Sequence, residues 1–582
     1  MAREIKVVQP SNPTDEERHS MLRLALEEVG RIEDYYNLIE LLSPPKDITT
    51  ILSPGQCKGL NVGIIGGGIA GLSAAFELRK LGFDITIFEQ QKERIGGRIY
   101  TYYFDKNKRY YGELGAMRIP VSHEATWKYI NQFKLRTTPF VQNNDNAFIY
   151  VRNKRAINDP DGRSVMEKIY PEFNLAPWER QEPWQKLVSY GLGASLLQIS
   201  PDIRRELLQN KKNYSPEIEY FDSISIRREL EERGLSEGAI ELISCIATFS
   251  GWLYDNSYIE SLQEQYAVDD AFRYQIDGGM VNLPLAMYRS LKSLNPKEYK
   301  NISENQLGKI TWNNGTRVKG IYKNNEDNTV ILEYSSEGEI TTSRQSFDFV
   351  VCTIPFSSLR NVIVYPMFST GKMQAIKEVN YIAGQKTIFM CKEKFWEEGG
   401  PSKAIIGGAS YTDLPVGSIW FPSYNIEYNI ADLESQVIPS VRREYKSYEG
   451  AGGVLMASYN LARDAVRLGN LEPITRLEWI KTQVEHVQGL KKGYLDDIVL
   501  DNKTIQWNNE QGFFGAVCYY MPGQKRLFSY VSSQPEYGNR VYFAGEHISQ
   551  EHGWIQGAIK SAMMAANGVA EHCKNYIKTV IN

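Results

Sequence analysis

The sequence predicts an α/β fold, α+β overall, with a doubly wound domain and further domains in one chain. A glycine-rich turn stands between an apolar run and a helical segment at 61–81. A second strand–loop–helix unit follows at 541–575, and the stretch from about 160 to 270 has helical patterning. Because 582 residues exceed what one hydrophobic core supports, two or three domains are expected, one of them assembled from both ends of the chain.

Composition excludes several classes of protein. The formal net charge is −4 and Lys and Arg form no run of five or more, so neither nucleic acid nor an anionic membrane surface is an expected partner. No apolar stretch is long enough to cross a bilayer, and Met1–Lys6 lack the apolar core of a secretory signal. Six scattered cysteines predict reduced thiols and a cytoplasmic location. The six histidines show no ligand spacing, so no metal site is expected.

Residues 1–52 are predicted to form an ordered helical arm that packs on the body of the protein. Thr14 and Glu17 have the spacing of a capping box, in which each side chain accepts a hydrogen bond from the backbone of the other. Apolar residues then recur at helical spacing up to Val29, and the helical pattern is expected to end before Pro44. We expect a structural rather than a regulatory role for this arm.

The first strand–turn–helix unit has the pattern of a dinucleotide-binding fold. Asn61–Ile65 predicts a buried parallel strand, and Ala70–Leu81 predicts a helix with small residues facing the sheet. The glycines of G-x-G-x-x-G are Gly66, Gly68 and Gly71. The first permits a tight turn, the second admits a pyrophosphate, and the third lets helix and strand approach closely. The helix N-terminus then favours the phosphates.

A second predicted strand, Ile85–Phe88, ends in the acid Glu89. A carboxylate in this position accepts hydrogen bonds from an adenosine ribose and would repel a 2′-phosphate. Strand, turn, helix, strand and acid thus follow in the order that a dinucleotide site requires. The predicted cofactor contacts from this unit are Gly66, Gly68, Ala70, Gly71, Glu89 and Gln90.

Residues beyond this acid favour FAD over NAD. The segment 96–98 reads Gly-Gly-Arg and resembles the GG-R segment of flavoproteins with two dinucleotide-binding motifs, in which the arginine lies against the diphosphate and flavin. The alternative is a surface turn with a solvated arginine. Near the other end, 540–546 reads RVYFAGE and 552–558 reads HGWIQGA. In such flavoproteins the acid meets the ribitol or diphosphate, and the following helix begins beneath the flavin.

Between these units the sequence predicts helices and then short strands. Charged helical segments are expected at Ser225–Arg233 and Ser236–Ala247. Residues 309–355 predict strands separated by turns at 313–315 and Asn324–Asn328.

Further motifs carry a more specific resemblance. They are Tyr110–Pro120, Asn144–Ala147, Ile259–Leu262, Asp277–Met280 with Leu283-Pro284, Gly384–Lys386, Lys394–Glu397, Tyr459 before Asp464-Ala465, Trp507, and His552–Ile555. On these motifs the chain resembles the flavin monoamine oxidase family and, within it, the L-amino acid oxidases of the snake-venom and bacterial type. The resemblance covers about 55–575, and the helical middle matches least well.

The resemblance implies a substrate site. Arg118 stands where these oxidases bind the substrate carboxylate, with a bidentate guanidinium contact that lysine could not reproduce. Tyr459 stands where a tyrosine hydroxyl makes the second carboxylate contact. Gly553 and Trp554 stand where a backbone carbonyl and an aromatic wall border the substrate amine. The alternatives are an ion pair between Arg118 and Glu113 or another acid, and packing roles for the tyrosine and tryptophan.

The resemblance also implies a catalytic lysine and further cofactor contacts. Lys386 matches the lysine that holds a water near flavin N5, where a positive charge stabilises reduced oxygen. The main chain of Val318 is expected to contact adenine. The other implied cofactor contacts are Gly97, Arg98, Gly115, Ala116, Met117, Arg118, Trp507, Gly545, Glu546, Gly553, Trp554 and Ile555.

Two positions depart from the family pattern. Members that tether FAD use a cysteine nine residues after a tryptophan that corresponds to Trp507. That position is Ala516 in this chain, so non-covalent FAD is expected. Cys518 lies close by in the sequence. The snake-venom enzymes also place a substrate-site histidine after the segment that matches 259–262.

In place of that histidine this chain has Glu264, Gln265 or Tyr266, depending on a one-residue gap. A histidine base is therefore not transferable to this chain. Glu264 would favour a cationic substrate side chain if it pointed into the pocket, but we expect a solvated glutamate.

The implied activity is FAD-dependent oxidative deamination of free L-amino acids by O₂, with hydride transfer from Cα to flavin N5. The products would be a 2-oxo acid, ammonia and hydrogen peroxide. The alternatives are an L-amino-acid 2-monooxygenase that forms an amide, a carboxylate-free amine oxidase, and an FAD-binding scaffold without turnover. A homodimer is expected by analogy.

Four domains are predicted from these patterns. They are the arm at 1–52, an FAD-binding domain at 53–98, 280–365 and 530–575, a mixed-sheet substrate-binding domain at 99–159, 270–279 and 366–529, and a helical domain at 160–269.

Overall fold

A parallel sheet with strands from both ends of the chain lies beside a larger mixed sheet and a group of helices. These elements are seen in a computed structural model, which describes residues 9–246, 253–423 and 452–581. The strands are β1 Asn61–Ile65, β2 Asp84–Glu89, β3 Thr101–Tyr103, β4 Tyr111–Glu113, β5 Ile119–Pro120, β6 Thr137–Pro139, β7 Phe148–Val151, β8 Lys154–Ile157, β9 Arg273–Ile276, β10 Ile310–Asn314, β11 Thr316–Asn324, β12 Thr329–Ser336, β13 Ser343–Phe347, β14 Phe349–Cys352, β15 Ile363–Tyr365, β16 Tyr381–Ile382, β17 Gly384–Cys391, β18 Ala409–Thr412, β19 Ser418–Trp420, β20 Gly453–Leu461, β21 Val499–Gln506, β22 Val517–Cys518 and β23 Val541–Phe543.

The helices are α1 Asp15–Glu28, α2 Tyr35–Leu42, α3 Ile69–Lys80, α4 Glu124–Gln132, α5 Arg163–Lys168, α6 Trp184–Gly193, α7 Pro201–Arg204, α8 Pro216–Ser223, α9 Ile226–Glu232, α10 Glu237–Ile246, α11 Tyr258–Tyr266, α12 Asn282–Lys292, α13 Phe356–Leu359, α14 Thr370–Glu378, α15 Ala462–Gly469, α16 Pro473–Gln488, α17 Tyr494–Ile498, α18 Gln524–Ser533 and α19 Ile555–Ile581. Within the described ranges, no helix has an apolar stretch sufficient to span a bilayer.

The parallel sheet has the strand order β10-β2-β1-β14-β23. All of its neighbouring strands pair in parallel. Helices α3 and α19 pack against each other and against strands of this sheet. Since β23 comes from the far end of the chain, the sheet is complete only when the two ends meet. The predicted fold class is confirmed, and β1, β2 and α3 agree with their predicted bounds to within one residue.

Two other sheets complete the architecture. A four-stranded sheet, β13-β12-β11-β15, follows directly after β10. The predicted turn at Asn324–Asn328 joins β11 to β12, whereas the predicted turn at 313–315 is the junction between β10 of the parallel sheet and β11. A seven-stranded sheet, β21-β17-β20-β19-β18-β7-β8, is antiparallel except where β18 pairs in parallel with β7, so it is mixed as expected. In this sheet β17 and β20 place Lys386 directly opposite Tyr459.

The middle of the chain is helical, as predicted. Helix α6 packs against α9, α10 and α11. The predicted helix at Ser225–Arg233 corresponds to α9, and that at Ser236–Ala247 corresponds to α10, except that Ala247 lies outside the described residues. The four domain boundaries stay predictions, and 1–8, 247–252 and 424–451 within them lie outside the described residues.

The N-terminal arm begins with the predicted capping box. Thr14 Oγ1 accepts a hydrogen bond from the Glu17 amide at 3.2 Å, and the Glu17 carboxylate accepts one from the Thr14 amide at 2.8 Å. Helix α2 ends at Leu42, whose carbonyl accepts a hydrogen bond from Gln556 Nε2 at 2.6 Å. The arm therefore contacts the start of the last helix, which borders the cavity described below.

A buried arginine ties this arm to α4. Arg18 Nη1 donates to the Val121 carbonyl at 2.8 Å and to Glu124 Oε1 at 2.6 Å, and its guanidinium lies 5.0 Å from the centre of the Trp127 ring. Such a buried charge stabilises the fold only while its partners remain in place.

Replacement of Arg18 is expected to loosen the arm. Arg18→Ala should reduce stability by about 3–5 kcal/mol, because the Glu124 carboxylate loses its buried guanidinium partner. The measurement is the thermal unfolding midpoint of the FAD-loaded protein. Arg23→Ala, which removes an exposed arginine from the same helix, is the control and should change stability by less than about 1 kcal/mol. Equal shifts for the two variants would contradict this role.

Candidate active site

A cavity of about 660 Å³ extends from the turn after β1 to the seven-stranded sheet. The predicted site residues that line it are Gly66, Gly68, Ala70, Glu89, Gln90, Gly97, Arg98, Gly115, Ala116, Met117, Arg118, Val318, Lys386, Tyr459, Trp507, Gly545, Glu546, Gly553, Trp554 and Ile555. Residues that are far apart in the sequence thus border one space, while their individual roles stay predictions. Gly71 is not among the lining residues.

The turn between β1 and α3 depends on two glycines. Gly66 has φ +106°, and a Cβ on it would lie 2.8 Å from Thr353 Oγ1. A Cβ on Gly71 would lie 2.0 Å from the Gly66 carbonyl oxygen, so the helix reaches this turn only because residue 71 has no side chain. The first turn of α3 lines the cavity through Ile69 and Ala70. Its unpaired amides form an anion site of the kind that binds a pyrophosphate.

An acid at the end of β2 borders the same end of the cavity. Glu89 accepts hydrogen bonds from the amides of Gly67 at 2.6 Å and Gln91 at 2.7 Å. Burial raises the pKa of Glu89 above its usual value, and these amide hydrogen bonds oppose the shift. Val318, on β11 of the four-stranded sheet, also lines the cavity. This arrangement suits an adenosine, with a carboxylate for the ribose and main chain beside the base.

An ion pair joins the two ends of the chain beside the cavity. Arg98 Nη1 donates to Glu546 Oε1 at 2.7 Å and to the Ala516 carbonyl at 3.0 Å. Glu546 also accepts hydrogen bonds from the amides of Cys518 at 3.2 Å and Gly553 at 3.1 Å. Burial opposes the charged form of Glu546, but Arg98 and the other donors outweigh it, so its pKa lies below the usual value. The arginine is therefore not the solvated residue of a surface turn.

A buried lysine lies in the part of the cavity formed by the seven-stranded sheet. Lys386 Nζ donates to the Gly115 carbonyl at 2.6 Å and lies 3.3 Å from Met117 Sδ and 4.3 Å from the centre of the Tyr459 ring. Burial lowers the pKa of Lys386 to about 7, and the charge of Arg118 acts in the same direction. This lysine is not one of the solvated surface lysines that make up most of that residue type.

Arg118 lies half-buried beside Lys386 and has no ion-pair partner among the residues that the structure describes. Its Nη1 donates to Gln142 Oε1 at 3.2 Å, and its guanidinium lies 5.1 Å from the centre of the Trp420 ring. The alternative, an ion pair with Glu113, is wrong, because that carboxylate accepts hydrogen bonds from Thr101 and from a backbone amide instead. A guanidinium in this state can bind an anion from outside the chain.

Sequence reasoning missed several polar and aromatic residues at this end. Gln142, Asp270, Arg273, Tyr411, Trp420 and Tyr519 all line the cavity. Gln142 Oε1 accepts hydrogen bonds from both Arg118 and Arg273, at 3.2 and 2.7 Å. No local motif marks these residues, since their place in the cavity depends on how separate strands pair.

The expectation of a solvated Glu264 is wrong. Its side chain lines the cavity at the end that contains Arg118. Tyr266 is buried, with the Arg31 guanidinium 5.7 Å from the centre of its ring, and neither Tyr266 nor Gln265 lines the cavity. The reason is helical geometry: Glu264 lies on the face of α11 that turns toward the cavity, while its two neighbours lie on other faces.

The two candidate positions for a covalent flavin link differ in location. Ala516 lines the cavity, whereas Cys518 is fully buried and does not line it. Within the described ranges, no group of His, Cys, Asp and Glu side chains is arranged to hold a metal ion.

The cavity combines helix amides and the acid Glu89 at one end with a buried lysine at the other, next to an arginine that has no ion-pair partner in the described ranges. This arrangement suits a flavin nucleotide with a small substrate next to it, which defines a flavin-dependent oxidoreductase. The chain belongs to the family of flavin containing amine oxidoreductases, whose model matches residues 69–570. Its cofactor is therefore FAD.

Curated relatives over nearly the full length are L-amino-acid oxidases. The enzyme of Crotalus adamanteus is 29% identical over 563 residues, which cover 95% of this chain and 94% of the relative. The enzyme of Vipera ammodytes ammodytes is 28% identical over 553 residues, which cover 94% and 99%. Among solved structures, putrescine oxidase aligns with a TM-score of 0.62 at 15% identity, over 88% of this chain and 98% of that one, and so shares the fold.

Replacement of Gly71 by alanine is expected to prevent cofactor binding. Gly71→Ala places a Cβ 2.0 Å from the Gly66 carbonyl oxygen, so the helix must move away from the phosphate site. The flavin content of the purified protein, read from its visible absorbance, should fall by more than tenfold. Gly30→Ala is the control: its φ of +69° makes alanine strained there, but its Cβ would have no heavy atom within 4 Å, so the phosphate site should keep its shape. Full flavin content in Gly71→Ala would contradict this expectation.

Proposed function

We propose that this chain catalyses the oxidative deamination of free L-amino acids to 2-oxo acid, ammonia and hydrogen peroxide. The observation that carries the proposal is the half-buried Arg118, which lines the cavity without an acidic partner among the described residues, beside Lys386 and Tyr459. A substrate with a carboxylate supplies the anion that this guanidinium lacks. The names of the full-length relatives support the same substrate class.

In this proposal Arg118 and Tyr459 set the position of the substrate. The guanidinium binds both carboxylate oxygens, and the tyrosine hydroxyl donates a hydrogen bond to one of them. Trp420 and Gln142 contact the guanidinium and restrict its orientation. With the carboxylate fixed, the Cα–H is held in one orientation, which makes the reaction effectively intramolecular. Trp554 closes one side of the cavity next to the substrate amine.

When bound, FAD supplies the acceptor for the hydride from Cα and the route by which the electrons reach O₂. The substrate amine must lose its proton before an imine can form, and water hydrolyses the released imino acid. Lys386 places a positive charge in the water-poor part of the cavity, where it can stabilise negative charge that develops on oxygen. We also propose that FAD is held without a covalent bond, since Ala516 stands at the cavity wall and the Cys518 thiol does not.

Two rival activities use the same cavity. An L-amino-acid 2-monooxygenase would bind the same carboxylate and form an amide with loss of CO₂. A carboxylate-free amine oxidase is disfavoured because it would leave the Arg118 guanidinium without an anion, as none of the described acids pairs with it. The deciding experiment measures peroxide with each common L- and D-amino acid and quantifies 2-oxo acid against amide. Stoichiometric 2-oxo acid and peroxide from L-amino acids support the proposal, and amide as the main product would refute it.

A cytoplasmic location and a homodimer stay predictions of the sequence. The proposed small-molecule partners are an L-amino acid and O₂. Neither nucleic acid nor a membrane surface is among the proposed partners.

Arg118 is expected to control the use of the substrate carboxylate. Arg118→Ala should lower kcat/KM for L-amino acids by roughly 30- to 4000-fold, because the substrate carboxylate would be buried without a charged partner. Arg118→Lys should restore only part of this loss, since an ammonium lacks the planar fork. The control is Arg463→Ala, an exposed arginine paired with Asp255. Unchanged kcat/KM in Arg118→Ala would point to an amine oxidase.

Lys386 is expected to act on the oxygen step alone. Lys386→Met should slow reoxidation of the substrate-reduced enzyme by roughly 10²-fold or more, while anaerobic bleaching by an L-amino acid keeps its rate. Because the pKa of Lys386 is lowered to about 7, reoxidation by the unmodified enzyme should slow as the pH rises through 7 and the ammonium loses its charge. Both rates are measured by rapid-mixing absorbance.

Lys372→Met is the matched control for this variant. Lys372 is also buried with its pKa lowered to about 7, but its Nζ donates to the carbonyls of Ser532 and Gln534 and it does not line the cavity. Lys372→Met should therefore leave reoxidation unchanged. An equal slowing of reduction and reoxidation in Lys386→Met would show a general structural effect instead.

A further inference from the structure

Glu264 occupies the last turn of α11, with its side chain in the wall of the cavity near Arg118. Arg273, Asp270 and Tyr519 line the same end, and burial together with the charge of Glu264 raises the pKa of the Tyr519 hydroxyl well above its usual value. This end of the cavity therefore contains more charged groups than the binding of an α-carboxylate requires.

Most of these charges already have partners. Arg273 forms an ion pair with Asp270, and it donates to the Asp269 carbonyl at 2.6 Å and to Gln142 Oε1 at 2.7 Å. The Asp269 carboxylate contacts His123 Nε2 at 3.1 Å. Glu264, in contrast, forms no ion pair with any cation in the parts of the chain that the structure describes.

Burial makes the unpaired state of Glu264 costly. It raises the pKa of Glu264 to about 8, and the charges of Asp270 and Asp269 act in the same direction, while Arg273 and Arg118 oppose them. A carboxyl group in such surroundings takes up a proton near neutral pH unless a cation comes close enough to stabilise the charged form. The chain supplies no such cation within the described ranges, whereas a substrate side chain can.

We propose that Glu264 determines substrate specificity by binding a cationic side chain, so that the preferred substrates are L-amino acids of the lysine, ornithine and arginine type. This proposal rests on the proposed L-amino acid oxidase function. The substrate then lies with its carboxylate on Arg118 and its side-chain cation on Glu264. Arg118 and Glu264, which form no ion pair with any described residue, thus match the two charged ends of one molecule.

An acidic substrate side chain fits the same surroundings less well. Its carboxylate would need a second free cation, and the Arg273 guanidinium is already bound to Asp270, Gln142 and the Asp269 carbonyl. It would also lie near the Glu264 carboxyl and add a like charge to that region. The charge distribution therefore favours a cationic over an anionic side chain.

The test compares substrates of matched size and different charge. Initial peroxide rates are measured with the FAD-loaded enzyme for L-lysine against L-norleucine, and for L-arginine against L-citrulline. The cationic member of each pair is expected to have a kcat/KM that is higher by roughly tenfold or more, since a hydrogen bond to a charged group contributes more than a neutral contact. A ratio near one in both pairs would overturn the proposal without any variant.

Glu264→Gln provides the second arm, because it removes the charge and keeps the shape. It should lower kcat/KM for L-lysine and L-arginine by roughly 10- to 150-fold and change the values for L-norleucine and L-citrulline by less than about threefold. Glu217→Gln is the control: it makes the same substitution at an exposed position of the helical region and should leave all four values unchanged. A uniform loss on all four substrates would overturn the assignment.

Failure of the subsite and failure of the proposed function give different results. If no L-amino acid yields peroxide and 2-oxo acid, the proposed function is wrong. If neutral L-amino acids are oxidised as fast as the cationic ones, the function stands and the role of Glu264 is wrong. A preference for L-glutamate would also refute the subsite, because it would assign side-chain binding to Arg273.

Discussion

The ion pair between Arg98 and Glu546 joins the two halves of the cofactor cavity. Arg98 follows the glycine-rich unit near the start of the chain, and Glu546 follows β23 near its end. The pairing of β14 with β23 brings these halves together, and the buried ion pair then fixes them at one point of the cavity wall. Because Glu546 also accepts a hydrogen bond from the Gly553 amide, the backbone just before the last helix is held in place as well.

The opposite end of the cavity is organised by charge and burial. The wall there contains a lysine, two arginines and two acids. Arg273 and Asp270 form an ion pair, so the charged groups at this end that have no ion-pair partner among the described residues are Arg118, Lys386 and Glu264. Lys386 is buried, and Arg118 and Glu264 are half-buried in the cavity wall. Reduced contact with water strengthens the interaction of each group with an opposite charge and makes its charged form costly when it has no partner. Such unpaired groups are typical of functional sites.

Elements that depend on local patterns could be predicted with small errors. The capping box at Thr14 and Glu17 forms as expected, and β1 has its predicted bounds. In these cases a few consecutive residues determine the local conformation, so distant parts of the chain have little influence on where the element begins and ends. The environment of Glu264 could not be predicted in this way. Its burial depends on the packing of α11 against other helices and on a cavity wall formed by separate segments.

The sequence by itself determined that the chain has a glycine-rich turn, an acid after the second strand and the Gly-Gly-Arg segment, and hence an FAD fold. These features act through backbone conformation and helix amides, which follow from the residues at each position. Only the tertiary structure decided that Arg118 lacks an acidic partner among the described residues and that Glu264 lines the cavity. Those facts depend on strand pairing and burial, which arise from contacts between residues far apart in the chain.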